Sequence, residues 1–149
     1  MGYISELRKR VGTYPLIMVG AAMVVLDSKN RLLLLHRTDN GCWGLPGGAM
    51  ELGESLENTA RRETREEAGI EVTQVSLFGV FSGPDLYYKY PNGDEVYNVT
   101  IVYTARYHGD GTDIQLTEHD RHAFFEMFAL PSNVSPPIKR ILKELVDRA

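Results

Sequence analysis

The residues best suited to chemistry are three glutamates in one short acidic segment, Glu63, Glu66 and Glu67. If the segment is helical, positions i, i+3 and i+4 place the three carboxylates side by side on one surface. Like charges at that spacing repel by a few tenths of a kcal/mol per pair, roughly, unless water or a cation lies between them. Hard divalent cations such as Mg²⁺ take carboxylate oxygens together with substrate phosphates and waters. The spacing therefore leaves two interpretations, carboxylates screened by water or a divalent-metal site.

The alternative for this segment is a charged helix in contact with water, with interleaved arginines as ion-pair partners. Two features favour metal binding. The cluster contains carboxylates without cysteine or histidine, which is the ligand set that hard cations prefer. It also follows residues 41–53, whose five glycines and one proline predict a structured loop with no regular element. Such a loop could bring backbone groups against the same ions, so loop and cluster together indicate a phosphate site.

The spacing of these residues follows a known pattern. Gly48 is followed after five residues by Glu54, and after seven more by Arg62-Glu63-Thr64-Arg65-Glu66-Glu67-Ala68-Gly69-Ile70. This arrangement resembles the Nudix box, and the preceding Trp43-Gly44-Leu45-Pro46-Gly47 is also similar to the family. One position departs, because Thr64 stands where an aliphatic residue is usual, although its methyl group can face a core. The resemblance covers nearly the whole chain and implies an α/β fold, the Nudix-type α/β/α sandwich with a mixed β-sheet.

The same resemblance implies roles for the site. Glu63, Glu66 and Glu67 would bind Mg²⁺ or Mn²⁺ with the help of the carbonyl of Gly48, and Arg62 and Glu54 would form a structural pair. Divalent ions neutralise a pyrophosphate, polarise phosphorus and lower the pKa of a bound water. The implied reaction is therefore hydrolysis of a phosphoanhydride bond in a nucleotide derivative.

A general base is expected from a later loop, because relatives often supply one further carboxylate there. Residues 110–121 look like a loop, and Glu118 and Asp120 are its candidates. Each is about as well explained as a solvated loop residue. Glu118 is preferred because its longer side chain can reach further from a mobile loop. His119 and His122 are expected at the surface, because no ligand spacing supports them.

The substrate contacts are expected near Arg37 and a group of tyrosines. Tyr87, Tyr88 and Tyr90 precede the turn at 91–94 and could stack on a base, although half-buried strand aromatics are the alternative. Arg37 could reach a phosphate or brace a hairpin, and Lys89 is a further candidate. Downstream of the box, a proline resembles the ADP-ribose hydrolases and a tyrosine resembles the diadenosine polyphosphate hydrolases. Pro84 and the tyrosines fit both hints, so these markers leave the substrate open.

The elements that must position these residues follow from periodicity and from residues typical of helix ends. Ser55 and Gly69 delimit a helix over residues 56–68. Alternating or β-branched runs predict a hairpin at 17–26 and 32–35 and further strands at 72–81, 96–107 and 123–128. Apolar residues at helical spacing predict an N-terminal helix, through Tyr3, Ile4, Leu7 and Val11, and a last helix, through Ile138, Ile141, Leu142 and Leu145. The order predicts one domain over residues 1–149, with residues 1–12 as an extension.

Bulk properties limit the function further. The chain has 149 residues and a net charge of −4, which argues against a general nucleic-acid binder. The single cysteine, Cys42, excludes an internal disulfide and fits a reducing cytoplasm. The longest apolar run, residues 16–26, is too short to cross a membrane. The expected partner is a small nucleotide, and the N-terminal helix is a candidate surface for a homodimer.

These observations lead to one leading hypothesis and two alternatives. The leading hypothesis is a Mg²⁺-dependent Nudix hydrolase acting on a nucleoside diphosphate linked to another group, such as ADP-ribose, or on a nucleoside triphosphate. One alternative is a MutT-like house-cleaning triphosphatase that removes oxidised dGTP. The other is a non-catalytic module that senses nucleotides. Such sensors often lose box carboxylates, and all of them are present here, which favours catalysis.

Overall fold

The computed structural model describes residues 2–149, which form a sheet flanked by helices. The eight strands are β1 (Leu16–Leu26), β2 (Leu32–Arg37), β3 (Trp43–Gly44), β4 (Gly47–Ala49), β5 (Thr73–Phe81), β6 (Tyr87–Lys89), β7 (Glu95–Arg106) and β8 (His119–Phe125). The helices are α1 (Tyr3–Val11), α2 (Leu56–Ala68) and α3 (Lys139–Arg148), with short 3₁₀ turns at Pro84–Leu86 and Pro136–Ile138. No helix in this part of the chain is both long enough and apolar enough to cross a bilayer.

The sheet is mixed, as the resemblance implied. Strand β1 runs parallel to β7 along its whole length, and every other pairing is antiparallel. The main order is β3-β2-β1-β7-β5, while β4 pairs with β1, β6 with β7 and β8 with β2. Strand β1 is therefore central, and it carries the short strand β4 that belongs to the glycine-rich segment.

Two apolar layers cover the sheet because successive strand residues face opposite sides. Ala21, Met23 and Val25 of β1 pack in the cluster beneath α2. Ala22 and Val24 pack in the cluster beneath α3. The face of α3 predicted from the sequence is the buried one, through Ile141, Leu142 and Leu145. This arrangement is the predicted α/β/α sandwich.

Two predicted element bounds were wrong. The segment at residues 41–53 was expected to lack regular structure, yet it contains β3 and β4. Its glycines serve close packing, because a Cβ on Gly47 would come within 2.6 Å of the Ala21 carbonyl oxygen on β1. The strand expected at 123–128 begins instead at His119 and ends at Phe125. Its first residues pair with the end of β2, so residues 119–121 belong to the sheet and not to a loop.

Helix α1 forms over the expected residues but buries none of them. Its Arg8 guanidinium donates to the carbonyl oxygens of Gly12 and Tyr14, just after the helix, and to that of Glu95 on β7, at 2.7–2.9 Å. Tyr3 and Val11 stay exposed. The use of this helix in a homodimer stays a prediction.

Candidate active site

Helix α2 has the bounds that its end residues predicted. The Ser55 hydroxyl accepts a hydrogen bond from the Asn58 amide, and Gly69 takes the left-handed conformation that ends the helix. The buried face consists of small residues, Thr59, Ala60, Thr64 and Ala68. Thr64 is fully buried and satisfies its hydroxyl by donating to the Ala60 carbonyl at 2.7 Å. Small buried residues let α2 lie close to β1 and β4. Its acidic side chains Glu63 and Glu67 then contact the glycines of β4.

Arg62 and Glu54 form the structural pair that the resemblance implied. The Arg62 guanidinium donates to both Glu54 oxygens, at 2.6 and 2.9 Å, and to the Ala49 carbonyl at 3.1 Å. Hydrogen bonds from Arg62 lower the pKa of Glu54 to about 2, with smaller help from the Thr59 hydroxyl. Glu54 is therefore charged at every physiological pH and fixes Arg62 against the glycine-rich segment.

Glu63 is held between Arg62 and the backbone of Gly48. Arg62 Nη1 donates to Glu63 Oε1 at 2.7 Å. A Cβ on Gly48 would lie 2.7 Å from the Glu63 carboxyl carbon, so the absence of a side chain at residue 48 makes room for this carboxylate. Burial raises the pKa of Glu63 and Arg62 opposes that rise. The Glu63 carboxylate thus packs directly against the Gly48 backbone.

Glu67 is the most deeply placed of the three acids. Its Oε1 accepts a hydrogen bond from the Gly47 amide at 2.7 Å. Burial raises the pKa of Glu67 to about 8, the Gly47 hydrogen bond opposes the rise, and the charge of Glu63 adds to it. A buried carboxylate beside another carboxylate is unfavourable unless a cation compensates both. This is a physical reason to expect a positive ion here.

Glu66 is more exposed and accepts from Arg62 Nη1 at 3.2 Å. In this conformation no three acidic, histidine or cysteine side chains among residues 2–149 converge closely enough to hold an ion. Glu63 and Glu66 turn toward Arg62, and Glu67 turns toward Gly47. All three nevertheless project from one surface of α2, with Glu63 against Gly48 and Glu67 against Gly47, and their donor atoms are oxygens only. That set fits Mg²⁺ or Mn²⁺ after rotation of side chains about single bonds.

The two candidate bases differ in their surroundings. Asp120 lies in β8, where its Oδ1 is 2.7 Å from His36 Nδ1, and this hydrogen bond lowers its pKa. Glu118 precedes β8, is exposed and has a left-handed backbone with φ of 65°. Its charge is close enough to Glu67 to raise the pKa of that residue. Glu118 is therefore next to the acidic cluster with an uncommitted side chain, while Asp120 is engaged elsewhere.

His119 lies at the site although the sequence predicted it at the surface. Its side chain is only 7% exposed, and its Nε2 is 3.9 Å from Glu67 Oε2. The expectation for His119 was therefore wrong, because the partner comes from a different element and no local spacing reveals it. His122 is half-buried and contacts Phe124 on the same strand.

A cavity of about 130 Å³ lies beside β4, on the α3 side of the sheet. Gly47 and Gly48 line the cavity at the end nearest the carboxylates. Further polar lining comes from Arg37, Asn40, Tyr88, Tyr90 and Asn98, and apolar lining includes Leu45, Ile138 and Ile141. The volume approaches the roughly 150 Å³ of a protein cavity that binds benzene, so it is suited to one aromatic ring system.

Only some of the predicted substrate residues line this cavity. Arg37 and Tyr88 line it. Tyr87 is outside the lining; its hydroxyl donates to Glu95 Oε1 at 2.6 Å, and its ring packs against Tyr97. Lys89, next to them on β6, is exposed. Neighbouring residues of a strand face opposite sides, which explains the separation of Tyr87 from Tyr88.

Fold and site together define an α/β/α protein with an acidic helix on one side of the sheet and a ring-sized cavity on the other, both next to β4. Comparison with known proteins identifies the family, because a model of the NUDIX domain matches residues 16–147. The chain therefore belongs to the Nudix hydrolase family.

Individual relatives agree with that assignment. A MutT-like protein of Streptomyces ambofaciens is 48% identical over 79 residues, covering 53% of this chain and 51% of that protein. An ADP-ribose pyrophosphatase of Methanocaldococcus jannaschii is 32% identical over 131 residues, covering 85% of this chain and 71% of that protein. The crystal structure of a MutT Nudix hydrolase from Burkholderia pseudomallei is 28% identical with a TM-score of 0.69, covering 88% of this chain and 98% of that chain. The chain thus spans about half the length of the Streptomyces relative.

Proposed function

We propose that the protein is a divalent-metal-dependent pyrophosphohydrolase that cuts the phosphoanhydride of a nucleoside diphosphate linked to a second group. The observation that carries this proposal is the meeting of two features at Gly47 and Gly48. The Glu67 carboxylate accepts from the Gly47 amide, and the same two glycines line the cavity. We propose that a ring bound in the cavity would extend its attached phosphates past these two glycines toward the acids.

Glu63, Glu66, Glu67 and the Gly48 carbonyl would hold the metal. Bound there, Mg²⁺ or Mn²⁺ would neutralise the pyrophosphate and favour attack by water at phosphorus. Arg62 holds Glu63 and Glu66 in position by donating a hydrogen bond to each. A bound cation would also offset the unfavourable effect of Glu63 on a charged Glu67.

Arg37 is proposed to contact a phosphate. Asp39 holds its guanidinium through Nε and Nη2, at 2.8 and 2.7 Å, which leaves Nη1 for another acceptor. Arg37 lines the cavity, and its charge is close enough to Glu67 to lower the pKa of that residue. Its position between cavity and carboxylates is where the phosphates of a bound nucleotide would pass.

The substrate class that we propose is ADP-ribose or a similar nucleoside diphosphate derivative. Support comes from the Methanocaldococcus relative, an ADP-ribose pyrophosphatase that is 32% identical over 131 residues, 85% of this chain. The competing activity is hydrolysis of an oxidised purine triphosphate, and the non-enzymatic alternative is nucleotide sensing.

A nucleotide panel tests the proposal with purified protein and saturating Mg²⁺ or Mn²⁺. The panel contains ADP-ribose, other nucleoside diphosphate sugars, dinucleoside polyphosphates, dGTP and oxidised dGTP. We expect the highest kcat/KM on a nucleoside diphosphate derivative, with a nucleoside monophosphate among the products. Preference for oxidised dGTP would replace this substrate with the alternative one. Tight binding of ADP-ribose without turnover of any compound would overturn the enzymatic proposal.

Replacing Tyr88 should weaken substrate binding, since its ring lines the cavity. Stacking of a base on an aromatic residue is worth about 1–3 kcal/mol, so Tyr88→Leu should raise KM by roughly tenfold. Tyr88→Phe keeps the ring and should stay near the wild-type value. The matched control is Tyr87→Leu, on the adjacent residue outside the cavity, which should leave KM unchanged. Equal effects of the two leucine variants would contradict the placement of the base.

A further inference from the structure

A hydrogen bond at one nitrogen of the His119 ring holds the ring in place and leaves the other nitrogen available for a ligand. The side chain of His119 is more than nine-tenths buried. Nδ1 is 3.0 Å from the Thr117 carbonyl oxygen, which can only accept a hydrogen bond. The proton of the neutral ring is therefore on Nδ1, and the lone pair is on Nε2. An imidazole held through Nδ1–H by a backbone carbonyl is the usual arrangement of a metal-binding histidine.

Nε2 faces the acidic cluster. It is 3.9 Å from Glu67 Oε2, while the other oxygen of Glu67 is held by the Gly47 amide. Within residues 2–149 Nε2 makes no hydrogen bond. Ligand atoms bound at about 2.0–2.2 Å from one ion lie roughly 3.0–3.5 Å apart. The distance between His119 Nε2 and Glu67 Oε2 would have to shorten by less than about 1 Å for both atoms to bind the same ion. A rotation of the Glu67 side chain can provide this change.

Backbone features hold the histidine at this place. Between β2 and β8, His36 pairs with Arg121 and Arg37 pairs with His119, so Asp120 is the extra residue of a β-bulge. Bulges redirect side chains and occur often beside active sites. The preceding segment is attached to the end of α2, because the Gln115 amide donates to the Ala68 carbonyl at 2.9 Å and the Thr117 amide to the Glu67 carbonyl at 3.2 Å. The helix that carries Glu67 and the strand that carries His119 are thus joined directly.

We infer that His119 is a nitrogen ligand for a divalent ion at Glu67, which gives this site a mixed oxygen and nitrogen ligand set. The inference rests on the metal site of the proposed function and adds a residue outside the glutamate box. Imidazole favours Co²⁺, Ni²⁺ and Zn²⁺, whereas Mg²⁺ favours oxygen. The chain should therefore bind Co²⁺ more tightly, relative to Mg²⁺, than a site of carboxylates alone would.

The direct test is pulsed electron paramagnetic resonance of the full chain loaded with Mn²⁺. A coordinated imidazole gives a ¹⁴N coupling that an ion-paired histidine outside the coordination sphere does not give. We expect this coupling in the wild type and in His122→Gln, the control from the same strand, and its loss in His119→Gln. By calorimetry, His119→Gln should weaken Co²⁺ binding by about tenfold or more and Mg²⁺ binding much less.

The outcomes separate this inference from the proposed function. If Glu67→Gln abolishes Mn²⁺ binding but wild-type protein shows no ¹⁴N coupling, the inference is overturned and the glutamate site stands. Equal weakening of Co²⁺ and Mg²⁺ in His119→Gln, without ¹⁴N coupling, would assign His119 to an ion pair with Glu67 and also overturn it. If the wild type binds no divalent ion, the inference and the metal dependence of the proposed function both fall. The wild-type spectrum decides the question even if His119→Gln fails to fold.

Discussion

Glu67→Gln is expected to lower kcat by at least about a hundredfold at saturating Mg²⁺, and Glu66→Gln to do the same. Each variant removes one negative charge from the set of carboxylates that would hold the metal, while the side chain keeps its size. In Glu67→Gln the amide oxygen can still accept the hydrogen bond that the Gly47 amide now gives to Glu67. The loss should therefore appear in turnover and in metal affinity with the fold intact.

Glu67→Gln should also be more stable than the wild type in metal-free buffer. Burial raises the pKa of Glu67 to about 8, above its ordinary value of 4.5. Between these values the folded chain binds a proton that the unfolded chain lacks, so the free energy of unfolding falls as pH rises through that window. Glutamine cannot lose a proton. The advantage of Glu67→Gln should therefore grow from pH 5 to pH 8 and shrink when Mg²⁺ is added to the wild type.

Steady-state kinetics and urea denaturation, each with and without Mg²⁺, measure these effects. Glu71→Gln is the matched control, because Glu71 is exposed just beyond the same helix and its carboxylate lies 3.7 Å from Arg65 Nε. It should change neither kcat nor stability appreciably. Turnover like the wild type in both Glu66→Gln and Glu67→Gln would refute the metal-site assignment.

Local chemistry explains which elements the sequence predicted well. The bounds of α2 follow from Ser55 and Gly69, and both residues perform the expected role at the helix ends. Thr64 departs from the aliphatic residue usual at its position, and its buried hydroxyl is satisfied within its own helix. The Arg62–Glu54 pair lies within one sequence motif and formed as implied. These are properties of short segments, where capping and spacing decide the structure.

Contacts between distant segments explain the rest. The glycines of residues 41–53 predict a loop because glycine weakens strands, yet in the structure they allow β4 to approach β1. Strand β8 begins early because it pairs with β2, and the bulge at Asp120 cannot be read from residue types. His119 meets Glu67 only through that pairing. Tyr88 lines the cavity because its side chain faces that side of the sheet. The residues of β6 alone do not show on which side the cavity lies.

Glu118 remains our choice for the general base, and its surroundings now distinguish it from Asp120. Asp120 is hydrogen-bonded to His36 at 2.7 Å, and that bond stabilises its charged form. Glu118 has an exposed side chain on a left-handed backbone, a conformation that is rare for residues other than glycine. Strained backbone persists where the surrounding structure holds it, often at active sites. Here the attachment of the preceding residues to α2 keeps Glu118 beside Glu67.

If Glu118 accepts the proton of the attacking water, Glu118→Gln should lower kcat by roughly a hundredfold or more, because general-base catalysis is worth 10²–10⁴. Metal affinity should change little, since the glutamates of the box remain. Asp120→Asn is the matched control from the next residue but one, and its kcat should stay within a few-fold of the wild type because its side chain faces His36. The decisive measurement is the pH–rate profile of both variants at saturating Mg²⁺. Loss of the acidic limb in Glu118→Gln alone assigns the base, whereas a near-normal rate with an unchanged acidic limb would exclude Glu118 and leave Asp120 or a glutamate of α2 to take the proton.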